Sequence, residues 1–172
     1  MTTVAYKDGV MASDSQASSG KFSWAGVVNQ KIYYTGGGLV GVAGTADELP
    51  ITDEWLDSIK SSKDLKPACE TLIQDSFEHY QLLFVFEDDP SYFHIANVFP
   101  EKSEDGAHYT CWAGWLETGY GIAIGTGDDF AMPAMAAGST AEQAVGIAIQ
   151  YDAASGGRID IAHLPEPEDT DA

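Results

Sequence analysis

Residues 2–14, TTVAYKDGVMASD, contain two short runs of strand-forming residues with a turn signal between them. The runs cover residues 3–6 and 10–14, and Lys7-Asp8-Gly9 separates them. An Asp-Gly pair favours a two-residue hairpin turn, because both turn positions need positive φ. The stretch therefore predicts a β-hairpin whose second strand ends close to the start of the first.

A second hairpin is predicted from the apolar runs at residues 31–34 and 39–43. The glycines at 36–38 between these runs are interpreted as its turn. A phosphate-binding loop would instead be followed by Lys-Ser/Thr and a helix. The polar residues 15–26, which separate the two hairpins, are predicted to form a loop.

From Thr45 onward the apolar residues recur at helical spacing. Thr45 is the predicted N-cap of a first helix, with acidic residues in its first turn. A second helix is predicted over residues 67–77, where Pro67 suits the first turn. The alternation typical of strands then returns at residues 82–86, 92–98, 109–112 and 121–124.

Two more helices and a last strand complete the pattern. Residues 128–137 are predicted to be helical, and Ser139 with Glu142 predicts a capping box that opens the next helix. The last strand is predicted at residues 159–162. Pairs of helices between groups of strands predict an α+β fold, a four-layer αββα sandwich of two antiparallel sheets with helices outside each.

Length and charge limit the class of protein. The 172 residues allow one domain, predicted over residues 1–164, and the charged residues 165–172 are predicted to be a disordered acidic tail. With 27 acidic against 8 basic residues, the net charge is −19, which disfavours binding to nucleic acid or anionic lipid. The sequence contains neither a signal-peptide pattern nor a run that predicts a membrane span, so a cytoplasmic protein is expected.

The cysteines and histidines do not show the spacing of metal ligands. Cys69 and Cys111 are predicted to be buried free thiols in a reducing cytosol, with a disulfide between them as the alternative. The four histidines are interpreted as core or surface residues. We therefore expect no metal and no cofactor.

Thr2 is the residue that most directly indicates a chemistry. Methionine removal favours small second residues, so the mature chain is expected to begin with Thr2. Its hydroxyl and a free α-amine would then lie on one residue. An α-amine titrates near about 7.7–8.0, so it can act as a general base that activates the hydroxyl, through a bridging water. Many proteins begin Met-Thr, however, and this feature alone does not assign a function.

Two charged residues at predicted strand ends can join Thr2. The first hairpin, with the next strand beside it, can bring Asp14 and Lys31 close to residue 2. A Lys ammonium there would lower the pKa values of both the amine and the hydroxyl. Asp14 would keep that Lys charged and oriented. Taken singly, Lys and Asp at strand ends are usually solvated surface groups.

A set of segments that follow one another along the chain resembles the proteasome β-subunit and the related bacterial heat-shock ring peptidase. Both are N-terminal nucleophile hydrolases. The resemblance covers residues 2–164, and its last segment matches the family's Asp-x-x-Ser-Gly-Gly motif. The segments are Thr2-Thr3-Val4, residues 13–18, Lys31, residues 43–47, Ile124-Gly125-Thr126-Gly127 and residues 151–157.

The resemblance implies the N-terminal nucleophile hydrolase fold and a threonine-type endopeptidase. Thr2 would be the nucleophile, with its own amine as the proton acceptor and later the donor. Lys31 would tune this proton transfer, and Asp14 would anchor Lys31.

The resemblance also implies roles for residues in the second half of the chain and around the substrate. Asp152 and Ser155 would close a hydrogen-bond network around the terminal amine, with Thr126 where the family usually has Ser. The backbone N–H of Gly44 would be the oxyanion donor. Asn29, Tyr33 and Ala46 are further predicted to line the specificity pocket.

The partners implied by the resemblance are further copies of the chain, in a homo-oligomeric ring or double ring, and an ATP-dependent unfoldase that supplies protein substrates. Two alternatives stay open: an N-terminal nucleophile amidohydrolase acting on small amides, and a catalytically inactive proteasome-like scaffold or assembly subunit. Thr126 and the short, Pro-interrupted helical stretch at residues 45–77 favour the scaffold. The complete set of candidate catalytic residues favours an enzyme.

Overall fold

The computed structural model describes residues 2–19, 22–44, 51–75, 79–99 and 107–166. Six strands come first, and two helices follow them. The strands are β1 (Thr3–Lys7), β2 (Val10–Asp14), β3 (Gln16–Ser19), β4 (Phe22–Val28), β5 (Ile32–Thr35) and β6 (Gly38–Gly44). The helices are α1 (Asp53–Ser58) and α2 (Leu65–Asp75), with a short 3-10 helix at Ser62–Asp64 before α2.

The second half of the chain repeats this order of strands followed by helices. Its elements are β7 (Tyr80–Phe86), β8 (Asp89–Phe99), β9 (His108–Trp115), β10 (Ile122–Gly125), α3 (Asp128–Ala136), α4 (Ala141–Tyr151) and β11 (Ile159–His163). No helix among the described residues is long and apolar enough to cross a membrane.

The predicted first hairpin is confirmed. Lys7 pairs with Val10 at its closed end, and the two turn residues, Asp8 and Gly9, have φ values of 51° and 78°. Two successive positive φ values match the twist of antiparallel strands, and Asp-Gly accepts them at low cost. The hairpin thereby returns Asp14 to the level of Thr3.

Two antiparallel sheets form the centre of the molecule, as predicted. One has the strand order β10-β1-β2-β11, and the other has the order β5-β6-β7-β8-β9. Between them lies an apolar cluster that includes Val4, Met11, Leu83 and Ile124. Because β1 lies between β10 and β2, both neighbours help to position its first residues.

The helices cover the outer faces of the two sheets. Trp55 of α1 and Leu72 of α2 belong to a cluster with Val40 and Phe84 of the five-stranded sheet. On the opposite side, α3 and α4 pack on the four-stranded sheet through mostly small residues. These include Ala5 and Ala12 from the strands and Ala131, Ala144 and Val145 from the helices. The four-layer αββα arrangement is therefore confirmed.

One prediction of a loop is wrong. Residues 15–26 were expected to be irregular, but β3 and β4 form a separate two-stranded sheet there. The polar residues 15–21 favour a loop, but β4 contains alternating Phe22 and Trp24 and ends in two valines, a strand signal that the prediction overlooked. The described residues before α1 thus form six strands, where four were predicted.

Two helix starts differ from their predictions. Helix α1 begins at Asp53, and its N-cap Thr52 accepts a hydrogen bond from Trp55 N at 3.1 Å; the predicted N-cap, Thr45, lies outside the described residues. Helix α4 has its capping box at Thr140 and Gln143, one residue after the predicted pair Ser139 and Glu142. Both pairs have the spacing of a capping box, so the sequence pattern could not distinguish them.

The cysteines are both free thiols, but only Cys69 is buried, and Cys111 is exposed. The prediction of two buried thiols is therefore wrong for Cys111. Its strand, β9, is the edge of the five-stranded sheet, and most of its residues are exposed. Residues 167–172 of the predicted tail lie outside the described residues.

Candidate active site

Four segments meet at one end of the four-stranded sheet. Within β1, Val4 pairs with Ser13 of β2, and Thr3 pairs with Gly125 of β10. On the other side of β2, Asp14 pairs with Ile159 of β11. Antiparallel pairing thus brings together the start of β1, the ends of β2 and β10, and the loop that precedes β11.

Asp14 is the centre of the first hydrogen-bond network at this end. Its side chain is fully buried, and its Oδ1 accepts from the hydroxyl of Thr2, from Thr3 N at 2.8 Å and from Lys31 Nζ at 2.9 Å. Its Oδ2 accepts from two backbone N–H groups, those of Gln16 at 3.2 Å and Gly156 at 2.9 Å. A buried carboxylate needs this many donors, because desolvation of an ion is costly unless it is paired and hydrogen-bonded.

Lys31 is held between Asp14 and the backbone. Its Nζ also donates to Gln16 O at 2.9 Å, and the residue is 7% exposed. Burial lowers the pKa of Lys31, whereas the charge and hydrogen bond of Asp14 and the charge of Asp160 act in the opposite direction; the net pKa lies below its usual value. Burial thus makes this ammonium easier to deprotonate than a surface lysine.

Asp152 is the centre of the second network. Its Oδ2 accepts from Thr126 Oγ1 and from Ser155 Oγ, each at 2.6 Å. Ser155 Oγ also lies 2.6 Å from Thr3 Oγ1. Because a serine hydroxyl has one proton and Ser155 gives it to Asp152, Thr3 is the donor in the second contact. The network therefore runs from Asp152 to the residue next to Thr2.

The surroundings of Asp152 favour its charged form. Burial alone raises the pKa of this carboxyl, but the hydrogen bonds from Ser155, Thr126 and Ala154 N outweigh burial and hold the pKa below its usual value. Asp152 is therefore an ionised carboxylate at neutral pH.

Thr2 lines a cavity of about 290 Å³. The opposite parts of its wall include Gly44, at the end of β6, and the turn that follows β10. Gly125, the last residue of β10, has a φ of 93°, and a Cβ placed on it would lie 1.9 Å from Thr2 O. Only glycine satisfies both the backbone conformation and the close approach at this position. The lining residues are Thr2, Ala43, Gly44, His79, Gln81, Gly125, Thr126 and Asp128.

The structure brings most of the sequence-predicted site residues together. Thr2, Asp14 and Lys31 share one network, whereas Thr126, Asp152 and Ser155 share the other, and Gly44 lines the same cavity as Thr2.

Of the three predicted specificity residues, the structure describes Asn29 and Tyr33. Asn29 and Tyr33 are not among the described residues that line the cavity. Tyr33 packs instead against the apolar cluster under α1 and α2, and its hydroxyl donates to Gln30 O. Ala46 lies outside the described residues.

Sequence reasoning missed three residues of the cavity wall: His79, Gln81 and Asp128. Gln81 accepts from Gly125 N at 3.1 Å and donates to Asn97 at 3.1 Å, so it links the two sheets at the level of the cavity. Only Asp128 had a signal in the sequence, because it directly follows the Gly125-Thr126-Gly127 turn. His79 and Gln81 reach the site through the packing of one sheet on the other, which strand patterns do not reveal.

Comparison with solved structures identifies the class of fold. The chain has the fold of proteasome-type threonine peptidase subunits, as predicted. No family model and no curated protein matches the sequence.

Three of the structural matches cover nearly the whole chain. BPH from Thiobacillus denitrificans in complex with epoxomicin has a TM-score of 0.66 and 20% identity, over 96% of this chain and 97% of that one. A second BPH structure from this organism has a TM-score of 0.54 and 21% identity over the same shares. The eukaryotic HslV from Trypanosoma brucei has a TM-score of 0.61 and 18% identity, over 96% and 99% of the two chains. At these identities the similarity establishes the fold.

Proposed function

We propose that this protein is a threonine-type endopeptidase subunit of a self-compartmentalising ring protease, with Thr2 as the nucleophile after removal of Met1. The observation that carries the proposal is the position of Thr2. Its hydroxyl is hydrogen-bonded to the buried Asp14–Lys31 pair, and the residue also lines a cavity that can receive a substrate. The fold shared with proteasome-type subunits supports the same class of reaction.

The reaction begins with activation of Thr2. The free α-amine, as its neutral form, takes the hydroxyl proton through a bridging water, and Oγ1 attacks the carbonyl carbon of a peptide bond. The positive charge of Lys31 offsets the negative charge of Asp14, which accepts from the Thr2 hydroxyl, and the contact between Nζ and Oδ1 at 2.9 Å keeps Lys31 in place.

The negative charge that develops on the carbonyl oxygen is stabilised by the backbone N–H of Gly44. The intermediate then collapses: the C–N bond breaks, the terminal ammonium gives its proton to the leaving amine, and an ester to Thr2 remains. A water molecule, deprotonated by the same amine, hydrolyses the ester and restores the hydroxyl. Asp152 positions the start of β1 during both steps through Ser155, whose hydroxyl contacts Thr3 Oγ1.

A ring is the second part of the proposal. A single domain with an open cavity cannot select its substrates by access alone, so enclosure of several sites in a homo-oligomeric ring or double ring would supply this control. An ATP-dependent unfoldase would deliver folded substrates. Native mass spectrometry of the purified protein tests the ring, since a monomer of 18.4 kDa at micromolar concentration would contradict it.

Intact mass spectrometry tests the nucleophile. The purified protein is measured before and after treatment with a peptide epoxyketone such as epoxomicin, which reacts with the hydroxyl and amine of an N-terminal Thr. The expected result is loss of Met1 and one adduct per chain, and no adduct in Thr2→Ala. Retention of Met1 with no adduct would refute the peptidase proposal and favour the inactive scaffold.

A further inference from the structure

The cavity beside Thr2 contains a carboxylate that the proposed reaction does not use. Asp128 is the first residue of α3, and it lines the cavity together with Thr2, Gly44 and Gln81. Its side chain is partly buried. Asp128 lies two residues after Thr126 and directly follows the turn that carries Thr126. The conformation of this turn therefore fixes the distance of Asp128 from the candidate nucleophile.

Asp128 lacks a cationic partner in the described part of the chain. The ion pairs found there involve Asp14, Glu70 and Asp160. The described residues of the cavity wall include no Lys or Arg. Besides Asp128, the titratable groups of the described wall are the α-amine of Thr2, which is free in the proposed mature chain, and the imidazole of His79. Burial lowers the pKa of His79, so its imidazole is neutral at neutral pH.

In the described part of the chain, the negative charge of Asp128 is therefore not balanced by a lysine, an arginine or a charged histidine. Burial raises the pKa of Asp128, and the negative charges of Asp129 and Asp152 add to this effect, although a hydrogen bond from the backbone of Asp129 opposes it. A cation brought into the cavity would offset the cost of burying the carboxylate and would reduce the repulsion from the neighbouring negative charges.

The size of the cavity suits a long side chain. Its volume is about 290 Å³. A lysine or arginine side chain, with five or seven non-hydrogen atoms, fits within this volume. The neutral polar groups of the wall, which include the Gln81 amide and the Thr126 hydroxyl, can accept the remaining hydrogen bonds of an ammonium or guanidinium group.

We propose that Asp128 is a specificity-determining residue that selects peptides with a Lys or Arg side chain within two residues of the bond cleaved by Thr2. The inference rests on the proposed peptidase function and names its substrate class. A neutral side chain of similar length would gain the same burial in this cavity, but it would leave the carboxylate unpaired.

The experiment is a digestion of a mixture of unstructured peptides, followed by mass-spectrometric mapping of every cleaved bond. Four proteins are compared: the native chain, Thr2→Ala, Asp128→Asn and the matched control Asp129→Asn, whose exposed carboxylate is not among the lining residues. Cleavages that depend on Thr2 should be enriched in Lys and Arg near the cut. For a pair of peptides that differ only by Lys or norleucine, Asp128→Asn should lower the Lys preference in kcat/KM about tenfold or more, and Asp129→Asn should change it less than about twofold.

Asp128→Lys provides a second, charge-reversed variant, and thermal unfolding of each variant shows whether it is folded. Asp128→Lys should disfavour basic residues and favour Asp or Glu near the cut. Thr2-dependent cleavage without enrichment of basic residues, or with a Lys preference that survives in Asp128→Asn, would overturn this inference and leave the peptidase function standing. Absence of Thr2-dependent cleavage and of the epoxyketone adduct would overturn the peptidase function, and the inference with it.

Discussion

Asp14→Asn is the substitution whose effect on stability the structure defines best. The wild-type carboxylate is 0% exposed and accepts hydrogen bonds from Thr2, Thr3, Lys31 and two backbone N–H groups. An asparagine keeps the volume but has one acceptor oxygen, and its NH2 group faces donors. It also leaves the Lys31 ammonium, which is 7% exposed, without its counter-charge.

The expected loss follows from the cost of an unpaired buried charge. Removing one partner of a buried ion pair lowers the free energy of unfolding by about 3–5 kcal/mol. In a domain of this size each kcal/mol corresponds to about 2–4 °C, so the Tm should fall by about 6–20 °C. Glu70→Gln is the matched control, because Glu70 is 52% exposed and lies 3.9 Å from Lys66; its loss should cost less than about 1 kcal/mol.

Thermal unfolding followed by circular dichroism, at one protein concentration and pH 7, measures these changes. The double variant Asp14→Asn/Lys31→Met tests the cause, because it also removes the unpaired charge. If the charge dominates, the double variant should be more stable than Asp14→Asn alone. A Tm of Asp14→Asn within about 2 °C of the native protein, or a double variant with the sum of two independent losses, would refute this reasoning.

Three further predictions concern the turn after β10 and the second network. Gly125→Ala should lower the Tm by several degrees more than Gly119→Ala, because both glycines have positive φ (93° and 87°) but only at Gly125 would a Cβ meet Thr2 O; equal losses in thermal unfolding would contradict the steric argument. Thr126→Ser should keep kcat/KM of the proposed peptidase reaction within about threefold, since its hydroxyl can still donate to Asp152, whereas Thr126→Val should lower it about tenfold or more; equal rates for both variants would exclude a role for the hydroxyl. The lowered pKa of Asp152 contributes stability that is present above the usual Asp pKa, about 3.9, and is lost as the pH falls through the folded value. Urea unfolding at pH 6 and pH 3 should therefore show a smaller loss of stability at acid pH in Asp152→Asn than in the native protein, and an unchanged loss would contradict the assignment.

The parts of the fold that could be predicted from sequence are those with a local physical signal. The Asp8-Gly9 turn predicted the first hairpin, and helical spacing predicted the two helix pairs. The β3–β4 pair was missed because the polar residues of β3 favour a loop, although Phe22 and Trp24 of β4 alternate as in a strand. The predicted start of α4 was one residue too early, because two possible capping boxes overlap in the sequence.

The site follows the same division between local and long-range signals. Thr2, Asp14 and Lys31 could be grouped before the structure because they lie at the ends of strands predicted to be neighbours. The cavity wall could not be predicted, because it includes residues from the other sheet. Gln81 belongs to β7 of that sheet, and His79 directly precedes β7. Their contribution depends on how two sheets stack, which is set by the whole apolar cluster between them.

The charges around Thr2 explain why the two networks differ in composition. Asp14 and Lys31 form a buried pair that is neutral overall, so it can orient the hydroxyl without adding a net charge to the cavity. Asp152 is held by hydroxyl and amide donors instead, and Asp128 stands beside it with a raised pKa. The described side of the cavity is therefore net negative. Two cations could balance this charge: the terminal ammonium that forms on Thr2 during the proposed reaction, and a basic side chain of the substrate.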